Sequence, residues 1–147
     1  MTALRLLIAI LFLVVCAAIG QEPVRGTFRA IDLFVDSGNQ PLAAYQLSFA
    51  CEAADAKIVG IEGGEHSAFA EPPYYDAKAM QNNRVVVAAF STASPEQLPR
   101  GRTRIATIHI QTSANVARRY DLKVKAAATP AGESISVSAE AIERKAR

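Results

Sequence analysis

Apolar and polar residues alternate with a period of two along most of the chain from Gly26 onward, and no segment there sustains the 3.6-residue period of an amphipathic helix. The pattern predicts strands. Residues 27–36 (TFRAIDLFVD) set Ile31, Leu33 and Val35 on one face, with Phe28 and Phe34 on the other, so both faces are expected to be partly covered. The stretch 36–41 (DSGNQP) reads as a turn, because Gly and Asn accept positive φ and Pro cannot continue a paired ladder. Residues 42–51 (LAAYQLSFAC) place Tyr45, Leu47, Phe49 and Cys51 opposite Gln46 and Ser48, the signature of a half-buried strand. Residues 56–61 (AKIVGI) form a further short strand, closed by Gly63-Gly64.

From Glu62 to Asn83 the periodicity lapses, and a long irregular loop is expected there, including Pro72-Pro73 and Asn82-Asn83. Loops of that length in compact domains tend to carry function, so a binding surface is expected to draw on it. Residues 84–91 (RVVVAAFS) are apolar at both parities, which predicts a central strand between two covered surfaces. In 102–112 (RTRIATIHIQT) Ala106, Ile108 and Ile110 oppose Thr107, His109 and Gln111. In 119–126 (RYDLKVKA) Tyr120, Leu122 and Val124 oppose a charged face of Arg119, Asp121, Lys123 and Lys125. After a turn at 129–133 (TPAGE), residues 134–141 (SISVSAEA) alternate again and are expected to pair with 119–126 as an antiparallel hairpin. The tail 142–147 is charged and expected to fray. Strands with one apolar face, separated by turn signals, describe an all-β sandwich of one domain spanning 24–141.

Ahead of this body stands a different kind of sequence. Arg5 precedes an unbroken apolar run, residues 6–19 (LLIAILFLVVCAAI), which suits a signal-peptide core and is shorter than the ~20 residues of a transmembrane helix. Small Ala18 and Gly20 favour cleavage before Gln21, so residues 1–20 are expected to be a signal peptide, with retention as an N-terminal membrane anchor as the alternative. The protein is thus expected to be exported, to the periplasm, the medium or the cell surface. Without the leader, Cys51 is the one cysteine left and reads as a small buried hydrophobe on its strand.

Charge narrows the partners. Lys and Arg number 16 against 14 Asp and Glu. The basic residues are scattered and not interleaved with aromatics, so no nucleic-acid partner is expected.

The segment from Leu42, LAAYQLSFACEAADAKIVGIEGGEHSAF, resembles the early part of cohesin domains. Leu98-Pro99-Arg100-Gly101, the strand Ile105-Ala106-Thr107-Ile108 and the closing strands are similar to later cohesin segments. The resemblance implies a jelly-roll sandwich of about nine strands, related to carbohydrate-binding modules. It also implies binding of a dockerin-like protein through one sheet face.

Candidate chemistry concentrates in the long loop, at Glu62, Glu65, His66, Glu71, Tyr74, Tyr75 and Asp76. A glycosidase needs two carboxylates at a fixed separation across a rigid cleft, which a loop on a small sandwich supplies poorly. Glu65, His66 and Asp76 would ligate a metal only if they converged with fixed geometry. No catalytic residue, metal site or cofactor is therefore expected. Tyr74 and Tyr75, stiffened by Pro72-Pro73, are the expected ligand-binding residues, since amphipathic rings stack on sugars or anchor proteins. The expected function is a non-catalytic exported module that binds a protein partner of dockerin or scaffold type, with polysaccharide recognition as the alternative.

Overall fold

The computed structural model describes residues 26–113 and 118–145; the expected signal peptide or anchor, residues 1–20, lies outside them. They form eight strands: β1 (Thr27–Asp36), β2 (Ala44–Cys51), β3 (Lys57–Gly63), β4 (Tyr74–Tyr75), β5 (Arg84–Phe90), β6 (Arg102–Thr112), β7 (Tyr120–Ala128) and β8 (Ser138–Glu143). Two four-stranded antiparallel sheets result, in the orders β3-β6-β1-β8 and β4-β5-β2-β7. These are the β1 sheet and the β2 sheet below. The all-β sandwich expected from the alternation is what forms, with eight strands among the described residues where the resemblance implied about nine. The stretch between β3 and β5 yields only the two-residue β4, and residues 134–137 yield only an isolated bridge.

The period-two pattern becomes the core directly. Ile31, Leu33 and Val35 of β1 and Ala106, Ile108 and Ile110 of β6 are buried with Tyr45, Leu47, Phe49 and Cys51 of β2 and Val85 and Val87 of β5. Each large apolar side chain so enclosed contributes about 1.5–3 kcal/mol. The Tyr45 hydroxyl donates to the Ile105 carbonyl at 3.2 Å, which satisfies its one buried polar atom across the two sheets. Cys51 is a buried free thiol, and burial pushes its ionisation up.

The stretch 62–83 is more ordered than expected. Two single-turn helices, Ser67–Phe69 and Ala77–Ala79, and β4 lie within it, and buried Phe69 meets the Tyr45 ring edge-on at 5.1 Å. The segment folds closely over the end of β3: a Cβ on Gly63 would stand 1.9 Å from the Ala70 carbonyl oxygen. Glycine is therefore required there by contact rather than by backbone angle.

The closing hairpin does not form as expected. The turn is present, with Gly132 at φ +80° and the Thr129 amide donating to the Glu133 carbonyl at 2.9 Å. Pairing with β7 then stops after the Ala128–Ser134 bridge and the bond from the Ile135 amide to the Ala127 carbonyl. The chain crosses to the other sheet, where β8 pairs with β1 from Ser138 opposite Asp36 to Glu143 opposite Ile31. Alternation specifies which face is buried, not which strand lies alongside. At the edge of β1, Ala139 and Ala141 pack against the core and the outward charges find partners: Glu140 meets Arg102, Glu143 meets Arg29 and accepts from the Tyr120 hydroxyl, and Arg144 grips Asp32. The same contacts overturn the expectation of a fraying tail at Ile142–Arg144, since β8 ends at Glu143 and the Arg144 amide donates to the Ala30 carbonyl.

Candidate functional site

The outer face of the β2 sheet is built on small side chains. Between the inward residues of β2, the chain places Ala44, Gln46, Ser48 and Ala50 outward. Register with the flanking strands arranges these in four cross-strand rows. Phe90, Ala44 and Ala128 form one, and Ala88, Gln46 and Ala126 the next. Val86, Ser48 and Lys123 follow, then Arg84, Ala50 and Asp121. At the charged end low Ser48 and Ala50 therefore lie between taller residues of β5 and β7, whereas at the apolar end Gln46 rises between Ala88 and Ala126 and only Phe90 stands tall. The register of β7 shifts opposite Gln46 and Leu47, leaving Lys125 as the extra residue between the second and third rows.

One end of this face is apolar and the other charged. At the apolar end, a hollow of about 270 Å³ is lined by Tyr74, Phe90, Gln46 and alanines of β2, β5 and β7. At the charged end a larger groove, about 830 Å³, runs between Arg84 and Val86 on one side and Asp121, Lys123 and Lys125 on the other. Lys123 and Asp121 pair at 2.8 Å, and the carboxylate holds the ammonium above its ordinary value.

The apolar residues of this face are open to solvent. Tyr74 is 70% exposed, Phe90 63% and Val86 46%. The apolar outer parity of β5, expected to lie under a covering layer, is thus uncovered by any described residue. The reason is topological: among the described residues the β2 sheet is one of two layers, and its inner face alone meets the other sheet.

The two tyrosines expected to act together are separated. β4 pairs Tyr74 with Ala88 and Tyr75 with Val87, and neighbouring residues of a strand point to opposite faces. Tyr74 shares the outer face, where its ring lies 6.2 Å from that of Phe90 at an interplanar angle of 11°. Tyr75 shares the parity of fully buried Val87 and hangs at the sandwich edge, 38% exposed. Phe90, absent from the sequence-derived site, is the ring that joins Tyr74. Its signal was present in the parity it shares with Arg84 and Val86.

The other loop candidates are occupied locally. The Glu65 carboxylate accepts from the Arg104 amide, the His66 Nδ1 from the Ala68 amide, and the Asp76 carboxylate from the Lys78 amide. Each caps backbone, and among the described residues no group of three or more His, Cys, Asp or Glu is placed to hold a metal ion. Glu62 lies on β3 instead, with a carboxylate oxygen 2.9 Å from His109 Nε2 but without hydrogen-bond alignment.

The outer face of the β1 sheet differs throughout. Asp32 accepts from Thr107 at 2.8 Å and from Arg144 at 2.6 Å, and Arg104 donates to Thr107 and to the Gly63 carbonyl. Partial burial pushes the Asp32 carboxyl up, but the Arg144 and Thr107 hydrogen bonds and the charges of Arg144 and Arg104 outweigh it and hold it below its ordinary value. Arg102 pairs with Glu140 and lays its guanidinium 3.6 Å over the Phe34 ring.

No protein-family profile matches this chain, and no curated protein matches it. Solved structures do. A chain of a type I cohesin–dockerin complex from Clostridium thermocellum superposes with a TM-score of 0.57 at 11% identity, over 76% of this chain and 82% of that one. A non-cellulosomal cohesin from the archaeon Archaeoglobus fulgidus gives 0.56 at 9% identity, over 76% and 74%. The chain has the cohesin-like β-sandwich fold, reached with little sequence in common with either structure.

Proposed function

We propose that this protein is a non-catalytic binding module, exported by its leader, that takes a protein partner on the outer face of the β2 sheet. The observation that carries the reading is the stacked, exposed pair of Tyr74 and Phe90 with exposed Val86 on the same face, beside a cationic groove; the other outer face exposes Phe28 and Ile142 singly and pairs its central charges within the chain. Uncovered aromatic residues grouped on one surface mark an interaction site. The likeness to a chain from a cohesin–dockerin complex supports a partner of dockerin type.

The test is direct binding. Exported proteins retained by the immobilised protein are identified, purified and titrated against wild type and a Tyr74→Ala, Phe90→Ala double variant. Loss of affinity with unchanged folding supports the reading; undiminished affinity removes this face from it. Intact-mass measurement of the protein from its source tests export, with loss of residues 1–20 as the expected result.

A second reading, polysaccharide recognition, is favoured by the near-parallel exposed rings of Tyr74 and Phe90. Retention on insoluble polysaccharide that disappears in the same double variant would select it over the protein partner.

A further inference from the structure

We infer that the partner of this face is an acidic protein segment, with apolar side chains that meet Tyr74 and Phe90 and carboxylates that meet Arg84 and Lys125. The inference rests on the proposed binding role of the β2 sheet and adds the chemistry of what binds there.

The first ground is the charge left over on the face. Four cations line or overhang the charged groove, Lys78, Arg84, Lys123 and Lys125, against two carboxylates, Asp76 and Asp121. Asp121 is taken by Lys123, and Asp76, hydrogen-bonded to the Lys78 amide, keeps its charge, so the groove carries two cations in excess. Arg84, Lys78 and Lys125 have no ion-pair partner among the described residues. On the β1 sheet, by contrast, Arg102 and Arg144 each have a carboxylate. The excess is local, since the whole chain carries a formal charge of only +2.

The second ground is dimension. From Arg84 to Phe90 along β5 is about 20 Å, and β5 and β7 stand two strand spacings apart, roughly 9.5 Å. An α-helix, about 10–12 Å across with its side chains, laid on this face would span all three strands, and ~13 of its residues would reach from Arg84 to Phe90. No partner strand can add to β2 at the centre of this face, because β5 and β7 already pair with it on both sides. Contacts there must come from side chains, so their chemistry selects the partner.

The probes are two synthetic helical peptides with the same leucine stripe, one bearing glutamates at one end and the other lysines at those positions. Affinity is measured by calorimetry at low and high salt, and the site by amide resonance shifts of the labelled protein. The acidic peptide is expected to bind about tenfold tighter, the worth of two or three exposed ion pairs. Its advantage should vanish at high salt and in an Arg84→Glu, Lys125→Glu variant whose thermal unfolding matches wild type. Equal binding of both peptides, each weakened by Phe90→Ala, overturns the acidic partner and leaves the apolar face standing. Binding by neither peptide, or shifts confined to other surfaces, overturns both readings.

Discussion

The two outer faces of this sandwich start from the same strand geometry and end in opposite states. On the β1 sheet the central outward charges have partners within the chain: Asp32 with Arg144 and Thr107, Arg102 with Glu140 and Phe34, Arg104 with Thr107 and the Gly63 carbonyl. On the β2 sheet Ala44, Gln46, Ser48 and Ala50 line the middle, aromatic rings stand exposed at one end, and at the other Arg84 and Lys125 have no carboxylate partner among the described residues. The central charges of the first face are paired within the chain, with Phe28 and Ile142 exposed singly beside them; on the second, Tyr74, Phe90 and Val86 stand open together. A face whose polar groups are satisfied gains little from a partner, because binding would exchange existing contacts for new ones. The β2 face has fewer such contacts to exchange, the Lys123–Asp121 pair being one.

The comparison can be broken by substitutions on each side. The largest effect is expected from Phe90→Ala, which should lower partner affinity by about 2 kcal/mol or more, the range of an aromatic hot spot, while leaving thermal stability unchanged. If stability falls instead, Phe90 is a structural residue and the contrast between the faces is wrong. Asp32→Ala should do the reverse: about 1–3 kcal/mol of folding stability lost in denaturant titration, through the unsatisfied Thr107 and Arg144 groups, with partner affinity intact.

Asp32 also predicts a pH dependence. Its carboxyl ionises below the ordinary value in the folded protein. Such a group adds stability above the unfolded carboxylate pKa and loses it as pH falls through the folded value, so the loss belongs below about pH 4. An Asp32→Asn variant should show a flatter decline of melting temperature there, and an unchanged slope would remove Asp32 as the cause. Smaller still is Arg102→Ala, which gives up an exposed ion pair and a cation–π contact for about 0.5–1 kcal/mol. Val86→Thr, on the open face, should stay within about 0.5 kcal/mol of wild type in stability.

Much of the fold is readable along the chain because burial in a two-layer sandwich imposes a period of two. Ile31, Leu33 and Val35, then Tyr45, Leu47, Phe49 and Cys51, then Ala106, Ile108 and Ile110 all lie on the side their parity indicates. Less of the site was readable. Tyr74 and Phe90 are sixteen positions apart in sequence and meet only because β4 pairs with β5 in a register that sets Tyr74 opposite Ala88. Tyr75, adjacent to Tyr74, is sent to the opposite parity by the same pairing.

The sequence by itself determined that the body is made of strands, which side chains of each strand are buried, and where the chain turns, since these depend on residues near one another. Only the tertiary structure decided which strands lie together. It moved Ser138–Glu143 from the expected hairpin to the edge of β1, where Arg102, Arg29 and Asp32 supply the complementary charges. It also left the apolar outer parity of β5 uncovered. Alternation records that a face is apolar; whether that face meets another layer, water or a partner is set by long-range pairing that no local pattern encodes.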